Sequence, residues 1–178
     1  MTITTGTRDA VRRRAGFACE YCGVSETDTG GELTIDHYQP QTKGGTDALE
    51  NLLYCCVRCN QYKADYWPVQ PNEPALWNPR TDVAGGHFVQ VEDGTLHPLT
   101  VVGRFTLQRL RLNRAPLVAY RRRQTNYEEE RRLLQRYQDS LELLERLHAQ
   151  QVALLQEQQQ LLAEQRALLR ALLDEGME

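Results

Sequence analysis

The chain has 178 residues, 40% apolar and 25% charged, with a net charge of −3. This composition suits one soluble globular domain, or a small domain with an appendage, and the near-neutral charge names no partner. No apolar run approaches the ~18 residues of a membrane span, and MTITTGTRDAVRRR at the N-terminus lacks the apolar core of a signal peptide.

An intracellular, cytoplasmic protein with no membrane association is therefore expected. The charge is unevenly spread. Residues 128–178 carry 6 Lys+Arg against 11 Asp+Glu, and residues 1–127 carry 15 against 13. Within 104–123 stand Arg104, Arg109, Arg111, Arg114, Arg121, Arg122 and Arg123, with no acid among them.

In chain order, residues 7–15 read as a short helix with Thr7 as its cap. The first Cys-x-x-Cys, Cys19 to Cys22, follows. Ser25 to Gly31 reads as a polar loop. Leu33, Ile35 and His37 alternate with Thr34 and Asp36, so 32–38 reads as a strand. Successive strand residues point to opposite faces, which separates Asp36 from His37. Residues 40–46 form a turn tightest at Gly44-Gly45. A second short strand covers 51–55. The second Cys-x-x-Cys, Cys56 to Cys59, precedes a helix opening at Asn60.

Residues 67–82 are Pro-rich and aromatic and read as an irregular arm, with Trp67 and Trp77 as core plugs. His87-Phe-Val-Gln-Val and Thr95 to Val102 read as a hairpin around Asp93-Gly94. Residues 104–112 read as a short helix. Pro116 fits the first turn of a longer one. Beyond Pro116 there is no Gly or Pro until Gly176. His87, His97 and His148 read as hairpin and surface residues.

That last stretch has a seven-residue period. Leu134, Leu141, His148, Leu155, Leu162 and Leu169 make one line. Tyr137, Leu144, Gln151, Gln158, Gln165 and Leu172 make another. A heptad pattern over about five repeats predicts a coiled coil. The expected use of 116–174 is a homodimer or docking onto a helical protein partner. Three Gln in one line weaken the seam or make it selective.

Two paired cysteines at each end of a 33-residue spacer can present four thiolates to zinc. Cys19, Cys22, Cys56 and Cys59 are thus the expected structural zinc ligands. Cys55 reads as a small core residue or a neighbour of the site.

The order of motifs then resembles the HNH endonuclease family, the ββα-metal or His-Me finger nucleases. The resemblance rests on C-x2-C at 19–22, D-H-x-x-P at 36–40, K-G-G-T-D at 43–47, N-L at 51–52 and C-x2-C-N-x-x-K at 56–63. G-R-x-T-x-x-x-L-R-L-N-R at 103–114 resembles an element of stand-alone prokaryotic members. The resemblance implies His37 as general base, Asp36 and Asn60 as ligands of a catalytic Mg²⁺ or Mn²⁺, and Asn51 as the residue that shapes the loop and helps orient His37. Asn60 stands where many members have His, which favours a hard ion.

The expected function is metal-dependent hydrolysis of DNA, most naturally double-stranded. Lys63 either contacts phosphate or faces solvent. The seven Arg of 104–123 either track the phosphate backbone or form the solvent face of a helix. The alternative is a zinc-stapled DNA-binding or adaptor protein without catalysis. The expected fold is α+β, in three parts. Residues 1–66 form a zinc-bound ββα-metal core. Residues 67–115 form the arm, hairpin and Arg-rich helix. Residues 116–178 form the long helix.

Overall fold

A computed structural model describes residues 3–70 and 72–175, and of 171–175 the backbone alone. The side chain of Leu172 and residues 176–178 lie outside the described residues. The chain separates into two compact units, Met1–Thr125 and Asn126–Glu178. The architecture is mixed α+β, with two small antiparallel strand pairs and a long C-terminal helix.

The first helix, α1, spans Thr5–Arg14. Its cap is Thr4 and not Thr7. The Thr4 backbone is extended and its hydroxyl accepts from Thr7 N at 3.2 Å. Arg12, Arg13 and Arg14 fill the last turn, where the helix dipole favours cations. Val11 is fully buried, and Arg14 donates to the carbonyls of Leu49 and Leu52.

The expected loop at 25–31 instead contains a one-turn helix, α2, at Glu26–Thr29. A capping box makes it. Ser25 Oγ accepts from Asp28 N at 3.2 Å, and the Asp28 carboxylate accepts from Ser25 N at 3.1 Å. The turn delivers Glu26 to Arg12 and to the Tyr54 hydroxyl. Arg12 and Tyr54 together hold the Glu26 carboxyl down at about 2.

Strand β1 (Thr34–His37) pairs antiparallel with β2 (Leu52–Cys55). The register sets Asp36 opposite Leu53 and His37 opposite Leu52. All four residues of β2 are buried. Helix α3 (Val57–Lys63) starts three residues before the expected Asn60, because Cys56 is its cap. The second cysteine pair is therefore the first turn of that helix.

The 67–82 arm carries no helix or strand among its described residues. It seats Trp77 edge-on against Tyr21 and Phe88, at centroid distances of 6.2 and 5.6 Å. Trp77 N donates to Thr106 Oγ1 at 2.7 Å. Trp67 is only half-buried and packs edge-on against Tyr38.

The hairpin, β3 (Phe88–Gln90) and β4 (Leu96–Pro98), is shorter than expected. Pro98 has no N–H to extend the ladder. Helix α4 spans Val101–Arg109, capped by Thr100. Helix α5 runs from Ala115 to Glu175, with Pro116 in its first turn.

Several residues of the 103–114 motif turn out to be packing devices. A Cβ on Gly103 would meet His87 O at 2.3 Å. Asn113 clamps β4 by accepting from Leu96 N and donating to Leu96 O, both at 2.8 Å.

In the second unit every residue from 126 to 170 is exposed, the heptad leucines included. No helix among the described residues is long and apolar enough to cross a membrane.

The Gly103 contact is testable. Gly103→Ala should destabilise the first unit by about 1–3 kcal/mol, the range for overpacking. Gly85→Ala, where nothing lies within 4 Å, should leave the denaturation midpoint almost unchanged. Urea denaturation followed by tryptophan fluorescence reads both.

Candidate active site and metal centre

The four expected zinc ligands come together. The sulfurs of Cys19, Cys22, Cys56 and Cys59 all lie within 4.8 Å of one another. A zinc tetrahedron with bonds of ~2.3 Å has edges of about 3.8 Å. The Cys22–Cys56 sulfur separation is 3.7 Å. The cluster is positioned to bind zinc. Neighbouring thiols pull the Cys19 thiol well below its ordinary range, while Cys22 and Cys59 are pushed up by the same crowding. Sulfurs this close compete for protons, and a cation relieves that competition.

Local structure builds the cluster from both ends. The first pair sits on a tight turn, where Gly23 N donates to Cys19 O at 2.8 Å and Gly23 has a φ of 76°. The second pair is the first turn of α3. Tyr120 of α5 donates to Gly23 O at 3.0 Å, and an Arg114 amine lies 3.9 Å from Cys59 Sγ. Cys55 is buried, with its thiol toward Cys56 O.

Asp36 and His37 leave β1 in different directions. Asp36 is buried and meets Lys63 of α3, at 3.3 Å from Oδ1 and 3.1 Å from Oδ2. The Oδ2 contact is an ion pair without hydrogen-bond geometry, so that buried oxygen has no hydrogen-bond donor. Burial pushes the Asp36 carboxyl above its ordinary range, against the pull of Lys63.

Lys63 was open to two readings, phosphate contact or solvent. It has neither environment. It is fully buried, and its ammonium also donates to His37 O at 2.6 Å. Asn60, one turn into α3, donates to Thr34 Oγ1 at 3.4 Å. Thr34 and Asp36 stand two apart on β1 and share a face. Asn60, Lys63 and Asp36 thus gather on one side of the strand.

His37 turns the other way, toward the loop. Its Nε2 lies 2.7 Å from Asp47 Oδ1, and Gln41 Nε2 donates to the same oxygen at 2.7 Å. The His37 bond holds the Asp47 carboxyl below its ordinary range, with Gln41 helping. Asp47, the last residue of the K-G-G-T-D segment, is a polar partner that sequence reasoning missed. Its signal was an acid ten residues after a candidate base, at the far end of a Gly-Gly turn.

Asn51 does not touch His37. Its Oδ1 accepts from Gln39 N at 2.8 Å, and its Nδ2 donates to Gln39 O at 3.0 Å and Thr46 O at 2.8 Å. It fastens both ends of the 40–45 loop. Gly45 makes that closure possible, because a Cβ there would lie 1.8 Å from Gln39 O.

The seven arginines do not form one surface. Arg121 is buried, donating to Gly94 O, Leu112 O and Asn113 Oδ1. That corrects its placement on a phosphate-tracking face, since its donors are spent inside. Arg114 caps carbonyls of Leu110 and Arg111 and stacks over Tyr62. Arg109 bonds Lys63 O and lies over Tyr66, and Arg111 lies over Tyr62. Arg104, Arg122 and Arg123 are exposed, and their side chains make no hydrogen bond among the described residues.

Zinc removal should be visible directly. A strong thiol-competing chelator should strip the metal and unfold the first unit. Cys22→Ser should purify with zinc content far below the wild-type value. Metal analysis and near-ultraviolet circular dichroism check both.

With this geometry in hand, comparison with known proteins is specific. Residues 19–65 match the family model described as HNH endonuclease. The chain is 33% identical over 93 residues to the CRISPR-associated endonuclease Cas9 of Corynebacterium diphtheriae. That match takes in 51% of this chain and 8% of the relative's length. No solved structure gives a significant match. Residues 19–65, from the first cysteine of the cluster to just past α3, are thus the part of this chain that is similar to the HNH endonuclease family.

Proposed function

We propose that the first unit is a metal-dependent endonuclease that hydrolyses phosphodiester bonds in DNA. The observation that carries this reading is the His37–Asp47 pair beside the buried Asp36. With Asp47 accepting from Nε2–H, the His37 ring keeps its lone pair on Nδ1. Among the described residues Nδ1 takes no hydrogen bond, so it is free to accept a proton from water. Asp47 does not touch the reacting atoms. It is a positioning residue that holds the tautomer and stabilises the imidazolium.

Asp36 Oδ2 and the Asn60 amide oxygen supply hard donors, and the buried Oδ2 without a hydrogen-bond donor fits a cation. A bound Mg²⁺ or Mn²⁺ would neutralise charge on the phosphate and the leaving oxygen. Arg104, Arg109, Arg111, Arg122 and Arg123 are exposed and could meet phosphates, and such contacts position a duplex without reading its sequence. The relative is named an endonuclease, which supports the same class of reaction here.

A second reading is a zinc-stapled DNA-binding adaptor without catalysis. One observation favours it. The Lys63 ammonium already sits 3.1 Å from Asp36 Oδ2, where a cation would act.

The exposed leucines of 126–170 support a further part of the reading. A contiguous apolar stripe of this length calls for a partner helix, and a second copy supplies one through the coiled-coil repeat.

Plasmid cleavage separates the two catalytic readings. Wild type should nick or linearise plasmid with Mg²⁺ or Mn²⁺ and stop with EDTA. His37→Ala should lose at least about a hundredfold in rate, the low end for a general base, at unchanged zinc content. Zinc-loaded wild type that never cleaves would favour the adaptor.

Asp47→Asn should lower kcat about ten- to a hundredfold, as loss of an orienting partner does, with KM held. Asp47→Glu should restore part of it. A KM change at constant kcat would show that Asp47 serves binding instead.

A further inference from the structure

A cleft of about 790 Å³ opens in the first unit between α3 and the start of α5. That volume falls within the ~300–1,000 Å³ of small-molecule sites. On α3, Arg58 and Tyr62 stand four apart and share one face. On α5, Pro116, Tyr120 and Arg123 line the opposite wall at spacings of four and three. None of Asp36, His37, Asp47, Asn60 and Lys63 lines the cleft. Asn60 and Lys63 turn a different face of α3 toward β1.

The cleft divides by chemistry. Val57, Pro116 and Leu117 give it apolar surface, and so does the ring of Tyr120, whose hydroxyl is tied to Gly23 O at 3.0 Å. Its donors are unspent. Arg123 makes no side-chain hydrogen bond among the described residues, and neither does the Tyr62 hydroxyl. Arg58 has one bond, to Gln61 at 3.3 Å. Arg111 and Arg114 lie over the Tyr62 ring and add positive charge behind it. The two acids at the edge are already engaged. Asp28 belongs to the α2 capping box, and Glu32 pairs with Arg8 and Arg12.

Such a cleft fits an anion with a flat apolar body. A guanidinium fork matches phosphate, and every nucleobase has an apolar face. A peptide is served less well. No lining residue lies in a strand, so there is no open ladder for it to extend. The rim is open, with Val57 52% exposed and Arg58, Pro116 and Arg123 exposed beside it, so a strand can enter and leave. A paired base is held in its stack and cannot enter.

We infer that this cleft holds one unpaired nucleotide of the bound strand, its base between the α3 and α5 walls and its phosphate at Arg58, Tyr62 and Arg123. The inference rests on the reading that the first unit binds DNA. It makes a single-stranded flank, and not the duplex alone, part of what the protein recognises.

Fluorescence anisotropy of labelled DNA tests this, with full-length, zinc-loaded protein and no added Mg²⁺ or Mn²⁺. A duplex with a short single-stranded overhang should bind at least about fivefold more tightly than a blunt duplex with the same paired region. Val57→Trp fills the cleft without changing a charge. It should remove that preference and leave blunt-duplex binding unchanged. Arg58→Ala combined with Arg123→Ala should weaken overhang binding about tenfold or more. All three positions are exposed, so zinc content and near-ultraviolet circular dichroism should match wild type. Equal binding of both duplexes by wild type would overturn the inference, as would a preference that survives Val57→Trp. Deoxyadenosine monophosphate that competes as well as the overhang strand would overturn the strand in favour of a free nucleotide. An acidic peptide that binds wild type but not Val57→Trp would overturn the nucleotide in favour of a protein partner. Plasmid cleavage is read separately. Protein that prefers the overhang yet never cuts sinks the nuclease reading alone, and protein that cuts without the preference sinks this inference alone.

Discussion

Four sulfurs carry the first unit. The segment between the cysteine pairs has one two-stranded ladder of four residue pairs, and a segment this size cannot bury enough surface to hold itself. A zinc ion held by these four sulfurs would cross-link its two ends and take the place of the missing core. Everything nearby leans on that point. Glu20, between the first two cysteines, accepts from Tyr54 N on β2 and pairs with Arg80 of the arm. Tyr120 and Arg114 bring α5 to the two cysteine pairs from the other side. The staple also sets the chemistry, because its second half is the first turn of α3. Asn60 and Lys63 have fixed positions on β1 only while that turn stays anchored.

Charge in this chain is structural more often than its count suggests. Lys63 and Arg121 are both buried with several acceptors, and Glu26 joins Arg12 and Tyr54 across α1, α2 and β2. A buried cation is tolerable only where acceptors surround it. The carbonyls of His37, Gly94 and Leu112 do so here. Basic composition alone therefore does not tell which cations face outward, since Arg121 and Lys63 are spent on internal acceptors.

The cysteine cluster, the order of elements around it and the long C-terminal helix were legible because each has a local signature. Paired cysteines, alternation along a strand and a heptad repeat all act over a few residues. What was not legible depended on contacts across the chain. Thr4 took the cap from Thr7, and Cys56 started α3 before Asn60, because the extended backbone at Thr4 and Cys56 lets each side chain accept from the amide three residues on. Lys63 looked like a surface lysine until β1 closed over it. Asp47 gained its partner only when the loop folded back, and no periodicity marks such a meeting. Asn51 shapes the loop as the resemblance implies, through bonds to Gln39 and Thr46, and which backbone groups it would bond depended on how the loop folds back.

Those Asn51 bonds reach further than the loop. By holding Gln39 and Thr46 together, one side chain closes a ring in the backbone. The outer residues, 41 to 44, then hang from a fixed base. Their length and composition are mechanically uncoupled from the spacing between His37 and Asp47, apart from the one bond from Gln41. Such a loop can drift, lengthen or acquire new side chains in evolution while the histidine keeps its partner. The fold thus separates a part free to vary from a part that must not, and a single amide is the hinge pin between them.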